Sequence, residues 1–179
     1  MKNKTFSNIL IIISAAVTFV SFIYPQILEY GMNDMYIQNK DYVGIAVQFL
    51  MYQFLHGGIL HLLSNGLFLY IFGNQVESMI GTRRYVIFFI LSTLFIGICI
   101  LLFTSGNTIG ISGFAMAILG YYAMVLKKIN HPEYRGAIFL LAINIGIGFT
   151  GNISLVGHLF GAIFGLLFFY GSRLYFKKI

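Results

Sequence analysis

The sequence predicts an all-α polytopic membrane protein, a six-transmembrane-helix bundle in a single domain over residues 1–179. Three observations predict it. Hydrophobic residues make up 59% and charged residues 9%, with a mean hydropathy of +0.87, whereas a soluble domain carries roughly 25% charged residues. Six segments approach the about 20 apolar residues that a helix needs to cross a bilayer. The cations follow the same count, because ten of the eleven Lys and Arg fall on one side if six spans alternate.

The first span covers about 6–24. Lys2 and Lys4 precede it as in a signal peptide, but the apolar run is longer than a typical signal core. Tyr24-Pro25-Gln26-Ile27 also lacks a small-residue cleavage site, so an uncleaved first helix is expected. The long connection 25–59 carries Glu29, Asp34 and Asp41 with Lys40. Its mostly apolar stretch 42–52 is too short and interrupted for a span and is expected to lie in the membrane interface. Spans two and three cover 60–78 and 85–103, with Arg83 and Arg84 between them. Span four, 112–126, is followed by Lys127, Lys128 and Arg135. Span five, 136–149, is short, and Gly146 and Gly148 loosen its end. Span six, 153–176, is long enough to tilt or protrude, and Arg173, Lys177 and Lys178 mark its end.

This charge pattern puts both termini in the cytoplasm. The cations flank helices in ones and twos, without a polybasic block or an aromatic-basic platform, so the net charge of +6 marks topology and excludes nucleic acid as a partner. Cys99 is the single cysteine, which excludes an internal disulfide and leaves a buried, inert thiol as its expected state.

Spans two, four and six all run from outside to inside, and each carries its unusual polar residues near its outer start. Span two has His61 and Asn65, preceded by His56; span four has Ser112; span six has His158. At 1.5 Å rise per residue all lie within roughly two turns of the outer helix ends, so three parallel helices bring them to one depth. His61 and Asn65, four apart, share a face. His158, Gly161 and Gly165 share another, and Gly157-x3-Gly161-x3-Gly165 lets a helix approach closely. Span four, with small residues at Gly113, Ala117 and Gly120, is its expected neighbour, which would bring Ser112 within reach of His158.

Each signal has a simpler reading. A lone Ser in a span back-bonds to its own helix, Gly-x-x-x-Gly means helix packing, His61 alone suits a satisfied core or interfacial residue, and His131 in a charged inner loop is solvated. A metal site from His56, His61 and His158 would need a His-Glu-x-x-His run or a carboxylate in the outer halves of these spans, and neither occurs, so no metal or other cofactor is expected. The joint pattern is more specific than its parts. A hydroxyl and an imidazole buried at one depth form a nucleophile with its base. Because no carboxylate is placed to orient His158, the expected machinery is a Ser–His dyad.

The pattern resembles the rhomboid family of intramembrane serine proteases, in its small six-span prokaryotic form, across spans two to six. Gly110-Ile111-Ser112-Gly113 is similar to the family's Gly-x-Ser-Gly, which carries the nucleophile. His158 with Gly161 and Gly165 matches His-x-x-Gly-x-x-x-Gly, which carries the base. His61 through Asn65 matches His-x-x-x-Asn, associated with oxyanion stabilisation, and His56 falls where another His is common. Glu77 through Gly81 matches Glu-x-x-x-Gly at the inner end of span two. Two features depart from the family. Its Trp-Arg pair before span two is Val47-Gln48 here, in a chain without Trp, which removes the usual anchor of the outer loop. Met116 stands where many members place a Tyr on the catalytic His, a looser packing partner.

The resemblance implies an endopeptidase that cleaves single-pass transmembrane substrates near the outer face of the bilayer. Gly148-Phe149-Thr150-Gly151-Asn152 suits a mobile outer cap, and span five a lateral gate. The rival function is a rhomboid-like membrane chaperone or binding scaffold without activity, although such a member is expected to lack Ser112 or His158. A small transporter would place a charge near mid-membrane, and none is visible.

Overall fold

A computed structural model describes residues 5–150 and 154–175, with side chains as far as Ser172. The basic residues expected at the two chain ends (Lys2, Lys4, Lys177, Lys178 and the Arg173 side chain), with Gly151 and Asn152 of the outer cap and Ile153 at the start of span six, lie outside the described residues.

Among the described residues the long elements are helices. α1 covers Phe6–Ile23. The outer connection folds as a 3-10 turn, Pro25–Tyr30, then α2, Met35–Gln38, and α3, Tyr42–Met51. α4, Ile59–Phe68, continues through a wide turn of π-helix, Leu69–Gly73, into α5, Asn74–Ile80. α6 covers Thr82–Phe103, α7 Ser112–Lys128, α8 Tyr134–Ile147 and α9 Leu155–Tyr175. Three of these, α1, α6 and α9, are long and apolar enough to cross a membrane by themselves. α7 has 17 residues and α8 14, and the second long element is divided by its π turn.

The packing suits lipid as the solvent. On α1, Ser7, Leu10, Ser14, Thr18 and Ser21 form the buried stripe, at spacings of three and four. Ile9, Ile12, Ile13, Phe19 and Phe22 are exposed on the opposite side. In water this would be inside out. In a bilayer, hydrocarbon on the outer face costs nothing and small or hydroxylated residues let helices approach. The start of α1 is held across the sequence by Glu77 on α5. Its carboxylate accepts from the Phe6 and Ser7 amides, each at 2.9 Å, from the Ser7 hydroxyl at 3.0 Å and from Thr82 at 2.8 Å. An anion at a helix N-terminus meets both the free amides and the positive end of the dipole.

α7 forms the centre, with 12 of its 17 residues buried, and its last turn carries Lys127 and Lys128 at the negative end of its dipole. Its seam with α9 is backbone on backbone. A Cβ at Gly161 would be driven into the Gly113 carbonyl oxygen, and one at Gly165 into that of Ala117. The expected pairing of the two small-residue faces is therefore the observed one.

The stretch expected at the interface is α3. Tyr42, Val43 and Leu50 point outward while Gly44 and Gln48 are buried. Gln48 takes up the anchoring that the missing Trp-Arg pair left open, donating from Nε2 to the carbonyls of Gly31 at 2.9 Å and Asn33 at 3.1 Å.

Candidate functional site

His61 and Ser112 open onto a cleft of about 1420 Å³ at one end of the bundle, which Asn65 and His158 do not line. Ser112 lines it from the first turn of α7, His61 and Ser64 from α4, and Ser154, Leu155 and Val156 from the start of α9. The segment between α6 and α7 forms one wall, from Phe103 to Ile109.

Ser112 owes its place to the turn before it. Gly110 has φ +115°, a conformation that side-chain-bearing residues rarely adopt. A Cβ there would also meet the His61 ring at 2.8 Å and lie 3.8 Å from the Asn65 amide nitrogen. His61 and Asn65 thus lie directly over the residue two before Ser112. The Gly110 amide donates to the Tyr52 carbonyl at 2.8 Å, and the Tyr52 hydroxyl donates to the Thr93 carbonyl at 2.7 Å. The approach to Ser112 is pinned again upstream, where Met32 and Thr108 exchange backbone hydrogen bonds of 2.8 and 2.9 Å and Asn107 donates to the Leu28 carbonyl at 2.8 Å.

His158 sits one turn into α9, 4% exposed. Its Nδ1 is 2.8 Å from the Asn144 carbonyl oxygen of α8. A carbonyl only accepts, so Nδ1 carries the proton and, in the neutral ring, Nε2 keeps its lone pair. Nε2 is buried and has no hydrogen-bond partner among the described residues. Ser112 and His158 are therefore not hydrogen-bonded to each other here. Their immediate neighbours do touch: a Cβ on Gly113 would lie 3.2 Å from the Gly157 carbonyl oxygen.

Asn65, 7% exposed, has a buried side-chain nitrogen without a partner among the described residues. His56 lies behind His61, with ring centroids 4.9 Å apart and edge to face. Its Nδ1 is 3.3 Å from both the Thr18 hydroxyl and the Phe54 carbonyl oxygen. Burial, reinforced by the neighbouring His61, pushes the His56 imidazole down to about 4, so it is neutral at physiological pH. Met116, 2% exposed, belongs to the main core cluster with Phe114 and Ile118. No group of three His, Cys, Asp or Glu able to hold a metal occurs among the described residues. Sequence reasoning missed the Asn144 carbonyl and the Tyr52 carbonyl, both backbone acceptors that no residue type announces.

Chemically, the arrangement offers a hydroxyl on an open cleft, a buried imidazole with one nitrogen committed and one bare, and donors from His61 and Asn65 on the same side. The family model for the Rhomboid domain matches residues 44–174. The rhomboid protease GlpG of Yersinia pseudotuberculosis serotype I (strain IP32953) is 29% identical over 129 residues, covering 67% of this chain and 46% of its own length. The protein of the same name from Yersinia enterocolitica serotype O:8 / biotype 1B (strain NCTC 13174 / 8081) is 30% identical over 136 residues, covering 72% of this chain and 49% of its own. The chain spans about half the length of the curated relatives it matches.

Proposed function

The chain belongs to the rhomboid family, and from that premise we propose that it is an intramembrane serine endopeptidase acting on single-pass transmembrane proteins. Ser112 is the nucleophile and His158 its general base. His158 Nε2 takes the Ser112 hydroxyl proton as Oγ attacks the carbonyl of a substrate helix unwound in the cleft. The oxyanion is held by the side chains of His61 and Asn65 and by the Ser112 backbone N–H. His158 then returns the proton to the leaving amine. Water, activated by the same nitrogen, hydrolyses the acyl-enzyme.

The observation that carries this reading is the contact of His158 Nδ1 with the Asn144 carbonyl oxygen, which fixes the tautomer. With the Asn144 carbonyl at 2.8 Å on Nδ1, the lone pair is left on Nε2. In a Ser–His–Asp triad a carboxylate holds the base in this way. Here a helix carbonyl does the same for a dyad, and the Ser–Nε2 hydrogen bond forms when substrate docks, since catalytic hydrogen bonds are often open in the unliganded state.

The same reading makes α1, α4 with α5, α6, α7, α8 and α9 six spans, with both termini cytoplasmic and the cleft at the outer face. It rests on the basic residues between the spans, Arg83, Arg84, Lys127, Lys128 and Arg135, which all fall at the end of the bundle opposite the cleft. α8, with one buried residue, is the side through which a substrate helix enters.

The test is cleavage of a single-pass model substrate by the full chain in proteoliposomes. Wild type cleaves; Ser112→Ala and His158→Ala, checked for wild-type thermal stability, do not. Wild-type-like cleavage by purified Ser112→Ala would reject the assignment, and an inert but folded wild type would favour a binding scaffold. Reporter fusions locating 127–135 outside the cytoplasm would overturn the topology.

A further inference from the structure

A second cavity, of about 350 Å³, lies at the opposite end of α6 and α9 from the cleft. The cleft takes Phe103 and Val156 from these helices, whereas this groove takes Arg84 and Ile87 from the start of α6 and Leu167, Phe168 and Ser172 from the end of α9. At 1.5 Å per residue Arg84 lies roughly 28 Å from Phe103 along α6 and Ser172 roughly 24 Å from Val156 along α9, against the about 30 Å of a hydrocarbon core.

The groove is lined by Arg84, Gly171 and Ser172 together with the apolar side chains of Ile87, Phe164, Leu167 and Phe168. Its aromatic side is braced from behind by Phe88, stacked on Phe168 with centroids 4.3 Å apart and on Phe164 at 6.1 Å. Ser172 donates a hydrogen bond to the Phe169 carbonyl at 2.9 Å, and Arg84 is the one cation among the lining residues. A guanidinium has five N–H donors in a fork that fits phosphate oxygens, enough to hold a phosphate besides a protein partner. A groove lined by one cation and by apolar side chains, about as large as a small-molecule site, is complementary to one class of molecule, an anionic amphiphile.

We propose that this groove binds an anionic phospholipid of the cytoplasmic leaflet, with its phosphate on Arg84 and an acyl chain along Ile87, Phe164, Leu167 and Phe168. The leaflet rests on the topology proposed above; the site does not depend on the proteolytic reading. The lipid would cover the joint between α6 and α9, at the end of the bundle remote from the cleft.

The chain contains no Trp, so one introduced Trp reports on one place. Leu167→Trp puts it on the groove wall at a side chain 54% exposed, and Leu94→Trp puts it on α6 at one 45% exposed that does not line the groove. Both are made in full-length Ser112→Ala, so that proteolysis plays no part, and reconstituted with brominated phosphatidylglycerol or brominated phosphatidylcholine. At Leu167→Trp quenching should favour phosphatidylglycerol about fivefold, the ratio expected for one interfacial cation. At Leu94→Trp the two lipids should quench alike. Arg84→Gln should remove the preference and Arg84→Lys keep part of it. Equal quenching by both lipids at Leu167→Trp, a preference unchanged by Arg84→Gln, or no quenching by either lipid, as expected if a second copy of the chain covers the groove, would each overturn the proposal.

Discussion

α7 and α8 both meet α9, in opposite ways. α7 buries 12 of its 17 residues and lies against α9 through glycines, with carbonyl oxygens where side chains would be. α8 buries only Ala137 among its 14 residues and leaves Phe139, Ile143 and Ile147 exposed, yet its Asn144 carbonyl is the partner of His158 Nδ1. In lipid, exposing hydrocarbon drives nothing together, so helix association depends on close packing and hydrogen bonds. The α7–α9 seam has close packing along its length, whereas α8 buries little and reaches His158 through one polar tether. The seam fixes the helices that carry Ser112 and His158, and the sparsely buried helix occupies one nitrogen of His158 and leaves the other bare.

The sharpest break of this contrast is Gly161→Val. The new side chain would meet the Gly113 carbonyl, next to Ser112, and push α7 from α9. Misplacing reacting groups by about 1 Å can cost around a hundredfold in rate, so cleavage should fall by roughly that factor. Normal turnover by a folded Gly161→Val would show that the seam does not set the dyad.

Asn65→Ala comes next. Its amide nitrogen lies over Gly110 without a partner among the described residues, as expected of a donor reserved for charge that appears during reaction. A lone oxyanion donor is worth roughly 2.7–4 kcal/mol; with His61 and a backbone N–H sharing the role, a loss of about 1–3 kcal/mol in kcat is expected, with little change in KM or melting temperature. A lowered melting temperature with unchanged kcat would make Asn65 a structural residue.

Gln48→Ala should act mainly on stability. It leaves the Gly31 and Asn33 carbonyls without the buried donor, a loss of about 1–3 kcal/mol readable as a lower melting temperature. A Gln48→Ala protein as stable as wild type would mean that the outer segment is held by the Met32–Thr108 pairing and the Asn107 hydrogen bond to the Leu28 carbonyl without it. The smallest effect should come from Phe139→Ala on α8, 67% exposed, which should stay within about 0.5 kcal/mol of wild type in stability. A loss of several kcal/mol there would show that the outward face of α8 is packed as well, and the contrast with α7 would fail.

The sequence made the helices and the closeness of His61 and Asn65 to the turn before Ser112 legible, because apolar runs and residue spacing along a helix are local properties. The same spacing announced the α7–α9 seam, since Gly161 and Gly165 fall on the His158 face. Other features depend on long-range geometry. Glu77 caps a helix about 70 residues away, which its position in a Glu-x-x-x-Gly run does not reveal. The π turn at Leu69–Gly73 has no signature in a run of ordinary helix formers. Gln48 could be recognised as an anchor only once α3 was seen to turn it toward the Gly31 and Asn33 carbonyls. The orienting group for His158 was sought among carboxylates, and a backbone carbonyl can be supplied by any residue.

The central claim is that Ser112 is made nucleophilic by His158. Its most direct measurement is labelling of the reconstituted protein by a fluorophosphonate, with the adduct located by mass spectrometry. One adduct on Ser112 is expected in wild type, absent in Ser112→Ala and nearly absent in His158→Ala. Labelling that survives in Ser112→Ala, or that reaches Ser112 equally well without His158, would contradict the account.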